Sequence, residues 1–545
     1  MSTASKPQGE AMYVVSAADR QWLLNEQKKL YRRSWNHPDY VFEKFWGLVT
    51  DLRNLRCAFS RVVGNRGRRT AGVDGVTALQ ILVSGPEPFL VELRQELRTG
   101  AFQPSPARRV LIPKAGRRGE YRPLGIPTVK DRVVQAALKN IMEPVFEADF
   151  YPLSTGFRPG TGAFAALERL RLFLSPRPQN RSVSNRQCAY QVAIEGDIKG
   201  CFDNIGHHGL MNRVRRRISD PKVNRLVVSF LKAGVLSEGR FLRTDSGSPQ
   251  GGILSPLLAN IALSVIEERH ERHAWPRHKP TLLLDEGQIF RRALNHRQYD
   301  RRNKGKAVIS PIRYADDFIL LVSAPPGPDL MERAVETAYK EKEELAQVLR
   351  DTLGLELSPT KTLITPVTSP LRFLGHHVRV QNHRSYGWSS AVLIPKDRSQ
   401  RLRESIKRLF RADSCSYSLE DRLTLLNRQL RGWGQYYRHA RGAGEIFREL
   451  DRYAWHAIKR WLRKKHPNAS MGALISRYGE RKPGRKSVFW KDGSTKHFLL
   501  SRLHVGRFDL RRLRPAPFAE TCMESPVRNE RRTPGSDEGS LETVG

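Results

Sequence analysis

Two adjacent carboxylates, Asp316 and Asp317, stand between apolar segments of the chain. Ile312 and Tyr314 alternate with other residues before the pair, and Phe318 to Val322 follows it as an unbroken apolar run. This pattern predicts two β-strands joined by a tight turn, with the aspartates at the tip of the hairpin. An isolated Asp-Asp pair is most often a solvated turn or a helix cap, but here apolar strands fix the charges from both sides.

A third carboxylate, Asp197, ends another short apolar strand that begins at Val192. If the two strand ends meet, three carboxylates lie together. Mg²⁺ prefers oxygen ligands and binds through carboxylates together with substrate phosphates. Two such ions about 4 Å apart support phosphoryl transfer, because they stabilise both the attacking and the leaving oxygen. The three aspartates are therefore predicted to form a metal site in which Mg²⁺ and a triphosphate neutralise their charge.

The chain carries a large positive charge. Its 94 Lys and Arg residues against 55 Asp and Glu residues give a formal net charge of +39. Because this excess is spread over the full length, nucleic acid is favoured over an anionic membrane surface as the partner. No apolar segment is long enough to cross a membrane, and the N-terminus shows no secretory or transit pattern. The five cysteines form no C-x-x-C pair. These features predict a cytoplasmic protein with reduced cysteines and no membrane partner.

Hydrophobic periodicity divides the chain near residue 395 into an α/β body and a helical, very basic C-terminal part. Predicted helices cover 42–64, 86–98, 130–150 and 330–353, and predicted strands cover 109–113, 192–194, 308–312, 318–322 and 373–380. Their interleaving predicts an α+β domain with helices on one face of the sheet and the other face free for a ligand. In the C-terminal part, Leu430, Trp433 and Tyr437 share the apolar face of a helix that begins with a capping box from Ser418 to Asp421. They are assigned to core packing.

A series of motifs, in this order, resembles the reverse transcriptases encoded by group II introns. The motifs are Val110–Lys114 (VLIPK), Arg122–Thr128 (RPLGIPT), Gly156–Gly160 (GFRPG), Asp197–Phe202 (DIKGCF), Gly247–Gly252 (GSPQGG), Tyr314–Asp317 (YADD), Leu357–Thr362 (LSPTKT), Phe373–His376 (FLGH) and Leu430–Trp433 (LRGW). The resemblance covers the chain from about residue 50 to 500. Taken together in this order, the motifs are highly specific.

The resemblance implies an α+β right-hand polymerase of fingers and palm, followed by an all-α thumb or maturase domain and a basic C-terminal region. The expected divisions are a partly disordered N-terminal extension (1–40), an RNA-binding segment with the fingers (41–190), the palm with the metal site and a basic insertion at about 270–308 (191–395), the helical thumb or maturase domain (396–467), a basic DNA-binding-like region (468–520) and a disordered tail (521–545).

By the same resemblance, Asp197, Asp316 and Asp317 are the catalytic residues and hold two Mg²⁺ ions. Lys114 and Arg122 resemble the residues that grip the incoming triphosphate, and both side chains neutralise charge on phosphoryl oxygens. A solvated basic surface is the alternative for these two.

Phe202 resembles the aromatic gate beneath the incoming sugar, where a clash with a 2′-hydroxyl favours deoxynucleotides. Gln250 resembles the residue near the nucleotide sugar and the template. Core packing and an ordinary turn are the respective alternatives. Lys361 is a candidate general acid for the departing pyrophosphate, although a helix-end lysine explains it equally well. Glu195 and Asp203 lie close in sequence, but neither is expected to bind metal.

Further residues are candidates for contact with nucleic acid: Arg158, Gly251, Gly375, Arg431, Arg460, Arg463, Lys464 and Lys465. The C-terminal members lie in a region where basic residues and aromatic rings alternate, which suits phosphate tracking and base stacking. Gly160 to Phe164 departs from the family, which more often shows a small polar residue and then a histidine. This departure weakens an RNA-contact role for that segment.

The resemblance implies an RNA-directed DNA polymerase that binds its own intron RNA and assists both splicing and mobility by target-primed reverse transcription. DNA target, primer and deoxynucleotides are the other expected partners. Only Cys522 lies where many relatives carry an endonuclease braced by cysteine pairs, so no DNA-cleaving domain is expected and the primer comes from elsewhere. Two alternatives stay open: a host-adopted enzyme, for example in defence, and an RNA-folding maturase with a vestigial polymerase. The sequence indicates no oligomeric state.

Overall fold

The computed structural model describes residues 13–113, 119–178, 186–237, 240–242, 246–247, 251–270, 305–325, 327–383, 387–481, 488–510, 513 and 516–519. The expectations for residues 1–12, Lys114, Gln250, most of the basic insertion (271–304) and the tail (520–545) lie outside the described residues.

The α-helices of the described part are α1 (Ala17–Asn36), α2 (Trp46–Val49), α3 (Leu52–Gly64), α4 (Ala78–Ser84), α5 (Pro86–Thr99), α6 (Val129–Glu147), α7 (Ala163–Phe173), α8 (Cys201–Asn204), α9 (His207–Arg215), α10 (Pro221–Lys232), α11 (Ser255–Leu263), α12 (Val265–Arg269), α13 (Leu330–Leu353), α14 (Lys396–Leu409), α15 (Leu419–Tyr437), α16 (Ala443–Lys465) and α17 (Met471–Tyr478). Its strands are β1 (Ala107–Pro113), β2 (Tyr121–Ile126), β3 (Arg177–Pro178), β4 (Arg186–Gln187), β5 (Val192–Gly196), β6 (Val235–Ser237), β7 (Arg240–Leu242), β8 (Val308–Tyr314), β9 (Asp317–Ser323), β10 (Leu363–Pro366), β11 (Leu371–Phe373), β12 (His376–His383), β13 (Gly387–Leu393), β14 (Gly479–Arg481), β15 (Val488–Asp492) and β16 (Thr495–Lys496).

The single helix predicted over 42–64 is wrong, because two aspartates start separate helices there. Asp220 accepts hydrogen bonds from the backbone N–H groups of Phe45 and Trp46, each 2.8 Å long, where α2 begins. Asp51 accepts one from the N–H two residues further on, where α3 begins. A carboxylate that satisfies free N–H groups favours a helix start at that point. The chain therefore forms α2 and α3 in place of one helix.

The other predicted helices are confirmed with small shifts at their ends, and α13 spans the predicted 330–353. The strand predicted over 373–380 is interrupted. Leu374 and Gly375 have φ values of +46° and +67°, so the chain turns between β11 and β12. A continuous strand does not accommodate two such residues.

The central sheet is antiparallel, with strand order β10-β5-β9-β8. Strands β8 and β9 form the predicted hairpin, with Tyr314 opposite Asp317. Strand β5 lies beside β9, with Gly196 opposite Phe318. A Cβ atom on Gly196 would lie 2.0 Å from the Phe318 ring, so this close approach requires glycine. The pairing brings the end of β5 next to the tip of the hairpin.

Both faces of the central sheet are covered, so the expectation of a free face is wrong. Ile194 and Leu320 pack into one core with α13, while Ile319 and Leu321 pack into a second core with α7 and strands β11 to β13. All four side chains are at most 1% exposed. Strands buried on both sides read as continuous apolar runs, as these do. The polar residues of the sheet therefore lie at the strand ends.

The C-terminal helices α14 to α17 pack around a third core that includes Leu430, Tyr437 and Trp461. Both Leu430 and Tyr437 are buried, which confirms their assignment to packing. Ser418 Oγ accepts a hydrogen bond from the Asp421 N–H at 3.0 Å and donates to its carboxylate at 2.7 Å, confirming the predicted start of α15. Within the described residues, no helix is both long and apolar enough to span a bilayer.

Candidate active site

The turn between β8 and β9 places Asp316 and Asp317 at the end of the central sheet. Ala315 and Asp316 are its central residues, and of these two only Ala315 has a positive φ, +57°, as in a type II′ turn. Such a conformation costs a non-glycine residue about 1–3 kcal/mol and persists only where surrounding contacts hold it. Asp316 is half-buried and Asp317 is exposed. The turn therefore presents both carboxylates from a strained, fixed backbone.

Asp197 lies next to this turn, as predicted from the strand ends. It follows Gly196, which pairs with Phe318, and so stands across from Asp317 on the neighbouring strand. Desolvation, and then the charges of Asp316 and Asp197, raise the pKa of Asp317 to about 6. Desolvation and the Asp197 charge also raise the pKa of Asp316. Mutual repulsion among these carboxylates would favour a bound cation.

Lys361 pairs with Asp197, since its Nζ donates to Oδ2 at 2.9 Å. The lysine side chain is 53% exposed. Within the described residues, no three His, Cys, Asp or Glu side chains are placed to hold one metal ion. The donor set still suits Mg²⁺, because all three side chains are carboxylates.

Beneath the turn lies a buried ion pair that the motif analysis did not identify. Arg313 Nε donates to Glu267 Oε1 at 2.6 Å, and the two side chains are 0% and 1% exposed. Arg313 Nη1 also donates to Asn260 Oδ1 and to the Ala315 carbonyl, each at 3.0 Å. Asn260 Nδ2 in turn donates to Gly156 O at 2.8 Å. This network holds the strained residue of the turn in place.

The sequence contained a signal for this pair. Arg313 lies within the otherwise uncharged run from Val308 to Tyr314, and Glu267 follows Val265 and Ile266. A charge in a buried run must be paired, because an isolated buried charge is costly. The sequence therefore indicates that Arg313 and Glu267 each have a partner of opposite charge, but it does not indicate which residue that partner is.

Of the candidate nucleotide-binding residues, the structure describes Arg122 and Phe202, and it also describes the nucleic-acid candidate Gly251. Arg122 lies on β2 and is exposed. Desolvation raises the pKa of Asp316, and the positive charge of Arg122 partly offsets this rise. Phe202 lies on α8 and is half-buried. Gly251 has φ +117°, and a Cβ atom there would lie 2.3 Å from Gly125 O on β2. Close packing against β2 therefore explains this glycine without a nucleic-acid contact.

Several nucleic-acid candidates are exposed. Arg460, Arg463 and Lys464 are all exposed near the end of α16. Arg431 is exposed on α15, with its guanidinium 5.0 Å from the centre of the Phe498 ring. These four side chains are free to meet a polyanion.

The placement of three other candidates argues against the expected contact. Arg158 is 9% exposed and forms an ion pair with Glu147 at 2.6 Å. Lys465 Nζ donates to the carbonyls of Cys415 and Tyr417 at 2.5 and 2.9 Å.

The third of these candidates is Gly375, whose φ of +67° favours glycine in the turn between β11 and β12. Its carbonyl also accepts a hydrogen bond from the Tyr437 hydroxyl at 3.2 Å. All three candidates therefore make contacts within the protein that account for their presence.

Glu195 makes hydrogen bonds within the fold, and its expected absence from the metal site stays a prediction. Its carboxylate accepts hydrogen bonds from Thr365 Oγ1 at 2.5 Å and from the Arg372 N–H at 2.6 Å. These bonds tie β5 to β10 and to β11. Glu195 therefore helps to fix the position of the turn at Leu374 and Gly375 relative to the central sheet.

Comparison with known proteins shows the family of the chain. Residues 112–378 match the family model for reverse transcriptase (RNA-dependent DNA polymerase), and residues 399–479 match the group II intron maturase-specific domain. Protein YkfC of Escherichia coli K12 is 35% identical over 388 residues, which cover 70% of this chain and 95% of that protein. The group II intron-encoded protein LtrA of Lactococcus lactis subsp. cremoris is 29% identical over 482 residues, 78% of this chain and 75% of LtrA. The chain belongs to the family of group II intron-encoded reverse transcriptases and maturases, and it is an RNA-directed DNA polymerase.

Proposed function

We propose that this polymerase copies group II intron RNA into DNA, with two Mg²⁺ ions held by Asp197, Asp316 and Asp317. Enzymes of the reverse transcriptase family use divalent metal ions. The observation that carries the proposal is the juxtaposition of three carboxylates on neighbouring strand ends, with the pKa values of Asp316 and Asp317 raised. Carboxylates that repel one another gain most from a divalent cation.

When bound, the metal ions activate the primer 3′-hydroxyl and stabilise charge on the phosphates. The chain itself positions the substrate. Arg122, exposed beside Asp316, and Lys114 grip the triphosphate through charge-assisted hydrogen bonds. Phe202 and Gln250 contact the sugar side of the nucleotide, and Phe202 excludes a 2′-hydroxyl.

Lys361 acts as the proton donor to departing pyrophosphate. Its ammonium lies 2.9 Å from Asp197 and its side chain is largely exposed. Release from Asp197 would free this ammonium to turn toward the leaving group, because the exposed four-carbon stem rotates at little cost. The ion pair with Asp197 supports the assignment, since it places an acid beside the reacting phosphates.

The same protein binds the parent intron RNA and assists its splicing, and the DNA copy serves intron mobility by target-primed reverse transcription. The maturase-specific region (399–479) and the exposed basic residues Arg431, Arg460, Arg463 and Lys464 support this role. We place a thumb at 396–467 and a DNA-binding region at 468–520. Phosphate contacts of this kind predict an affinity that falls steeply with salt.

The proposal is tested by Asp316→Ala and Asp317→Ala, with deoxynucleotide incorporation on a primed RNA template and splicing of the flanking intron RNA measured separately. Both variants are expected to lose DNA synthesis and retain splicing. Glu343→Ala, which removes an exposed carboxylate from α13, is the matched control and is expected to retain both. Polymerisation by either aspartate variant would contradict the metal site. A wild-type protein that does not assist splicing would favour a host-adopted polymerase.

A further inference from the structure

The loop from Thr155 to Arg158 is fixed by contacts along its length. The Thr155 N–H donates to a carbonyl of β8 at 3.0 Å. Gly156 O accepts from Asn260 at 2.8 Å, and Arg158 is ion-paired with α6 at 2.6 Å. The remaining residue of the loop, Phe157, therefore has little conformational freedom.

Phe157 combines a strained backbone conformation with an exposed side chain. Its φ is +59°, in the left-handed region, and the residue is 46% exposed. Bulky residues are strained in this region. An exposed ring also gains little from burial of apolar surface. A strained residue whose side chain is not buried is typical of functional sites, where the surrounding contacts hold the backbone in the strained conformation.

The ring of Phe157 contacts the ring of Phe202. Their centroids are 6.1 Å apart and the planes meet at 76°, which is an edge-to-face arrangement. Phe202 belongs to the four-residue helix α8 and is only half-buried, with part of its side chain packed against the main core. The edge of Phe157 is thus a side support for the ring of Phe202.

We propose that Phe157 is a specificity-determining residue that braces Phe202 against the sugar of the incoming nucleotide. The inference rests on the proposed function, in which Phe202 is the sugar gate. A ring excludes a 2′-hydroxyl only if it cannot move aside. Without Phe157, the Phe202 ring tilts away and a ribonucleotide enters. Phe157 acts through Phe202 and is a positioning residue for the gate.

The test compares kcat/KM for dCTP and CTP on a primed RNA template in Phe157→Ala, Phe202→Ala and the double variant. Phe157→Ala is expected to lower the preference for dCTP about three- to tenfold, the value of one edge-to-face contact. In the Phe202→Ala background it is expected to have no further effect, because the braced ring is absent. Phe157→Tyr retains the ring and the preference. Tyr339→Ala, which removes an exposed aromatic ring from α13, is the matched control.

Each outcome decides the inference. An unchanged preference in Phe157→Ala, with a reduced one in Phe202→Ala, overturns the brace and leaves the gate intact. Additive effects of the two substitutions also overturn it, since Phe157 would then act independently. An unchanged preference in Phe202→Ala overturns the gate itself. If circular dichroism shows that Phe157→Ala does not fold, Phe157→Leu replaces it with the same expectations, because leucine keeps the apolar bulk without the ring.

Discussion

Removal of Arg313 from its buried ion pair tests how the catalytic turn is supported. In Arg313→Met, the Glu267 carboxylate stays 1% exposed and loses the partner that lay 2.6 Å away. Loss of one member of a buried pair costs about 3–5 kcal/mol, because the other charge is left uncompensated. The hydrogen bonds to Asn260 and the Ala315 carbonyl, 3.0 Å each, are lost as well. We expect the free energy of unfolding to fall by about 4 kcal/mol.

The double variant Glu267→Gln/Arg313→Met separates charge from position. With both charges removed, the free energy of unfolding is expected to return to within about 2 kcal/mol of wild type. The Ala315 carbonyl still lacks its donor, so the strained turn that carries Asp316 can shift. A displacement of about 1 Å costs about 100-fold in rate. We therefore expect kcat to stay about 10- to 100-fold below wild type in both variants.

Unfolding is measured by circular dichroism in urea, and kcat by single-nucleotide incorporation on a primed RNA template. Arg403→Met is the matched control, since Arg403 pairs with Glu449 at 3.0 Å and the two side chains are 29% and 62% exposed. It is expected to cost about 1 kcal/mol and to leave kcat unchanged. The reasoning is refuted if Arg313→Met is as stable as this control, or if the double variant polymerises at the wild-type rate.

Three further predictions concern charge and pH. Asp317→Asn is expected to lower kcat about 1000-fold and, because repulsion is relieved, to stabilise the fold by up to about 1 kcal/mol at pH 7.5 after allowance for solvent screening. The pKa of Asp317 is raised from 3.8 to about 6, so the wild-type fold loses up to about 1 kcal/mol of stability as pH rises from about 4 to 6, when this carboxylate ionises. A thermal unfolding temperature of Asp317→Asn at pH 7.5 that is equal to or below that of wild type contradicts this reasoning. Burial lowers the pKa of His497 from 6.5 to about 4, because the folded protein disfavours the charged imidazole. About 3 kcal/mol of the free energy of unfolding is therefore present above pH 6.5 and is lost as pH falls toward 4. In His497→Leu, the unfolding temperature is expected to change less with pH between about 4 and 6.5 than in wild type. An equal dependence on pH in the two proteins contradicts this prediction. Glu195→Gln is expected to keep its Mg²⁺ dependence and lose less than about tenfold in kcat, since Glu195 bonds to Thr365 and Arg372. If kcat of Glu195→Gln falls as far as kcat of Asp197→Asn in the same incorporation assay, the prediction is wrong and Glu195 acts as a metal ligand.

The hairpin, its turn and the run of α13 followed from local sequence. Apolar runs of strand length and helical periodicity depend on neighbouring residues, so they can be interpreted without the rest of the chain. The motifs also located Asp197 and Phe202 beside the hairpin. Errors arose where a distant residue intervened. Asp220, 175 positions from Phe45, starts α2 and so divides a segment whose periodicity is helical throughout. The second face of the central sheet is covered by α7 and strands β11 to β13, which lie far along the chain.

By itself, the sequence determined the reverse transcriptase motifs, the charge that favours a polyanionic partner and the strands whose ends lie next to the three aspartates. Only the tertiary structure decided which buried charges pair, as Arg313 does with Glu267 across 46 positions. It also decided that Arg158 and Lys465 make internal contacts and that Phe157 meets Phe202. The physical reason is the separation along the chain of the residues that interact. Turns and strands are set by adjacent residues, whereas a buried polar group is satisfied by whichever partner the folded chain brings to it.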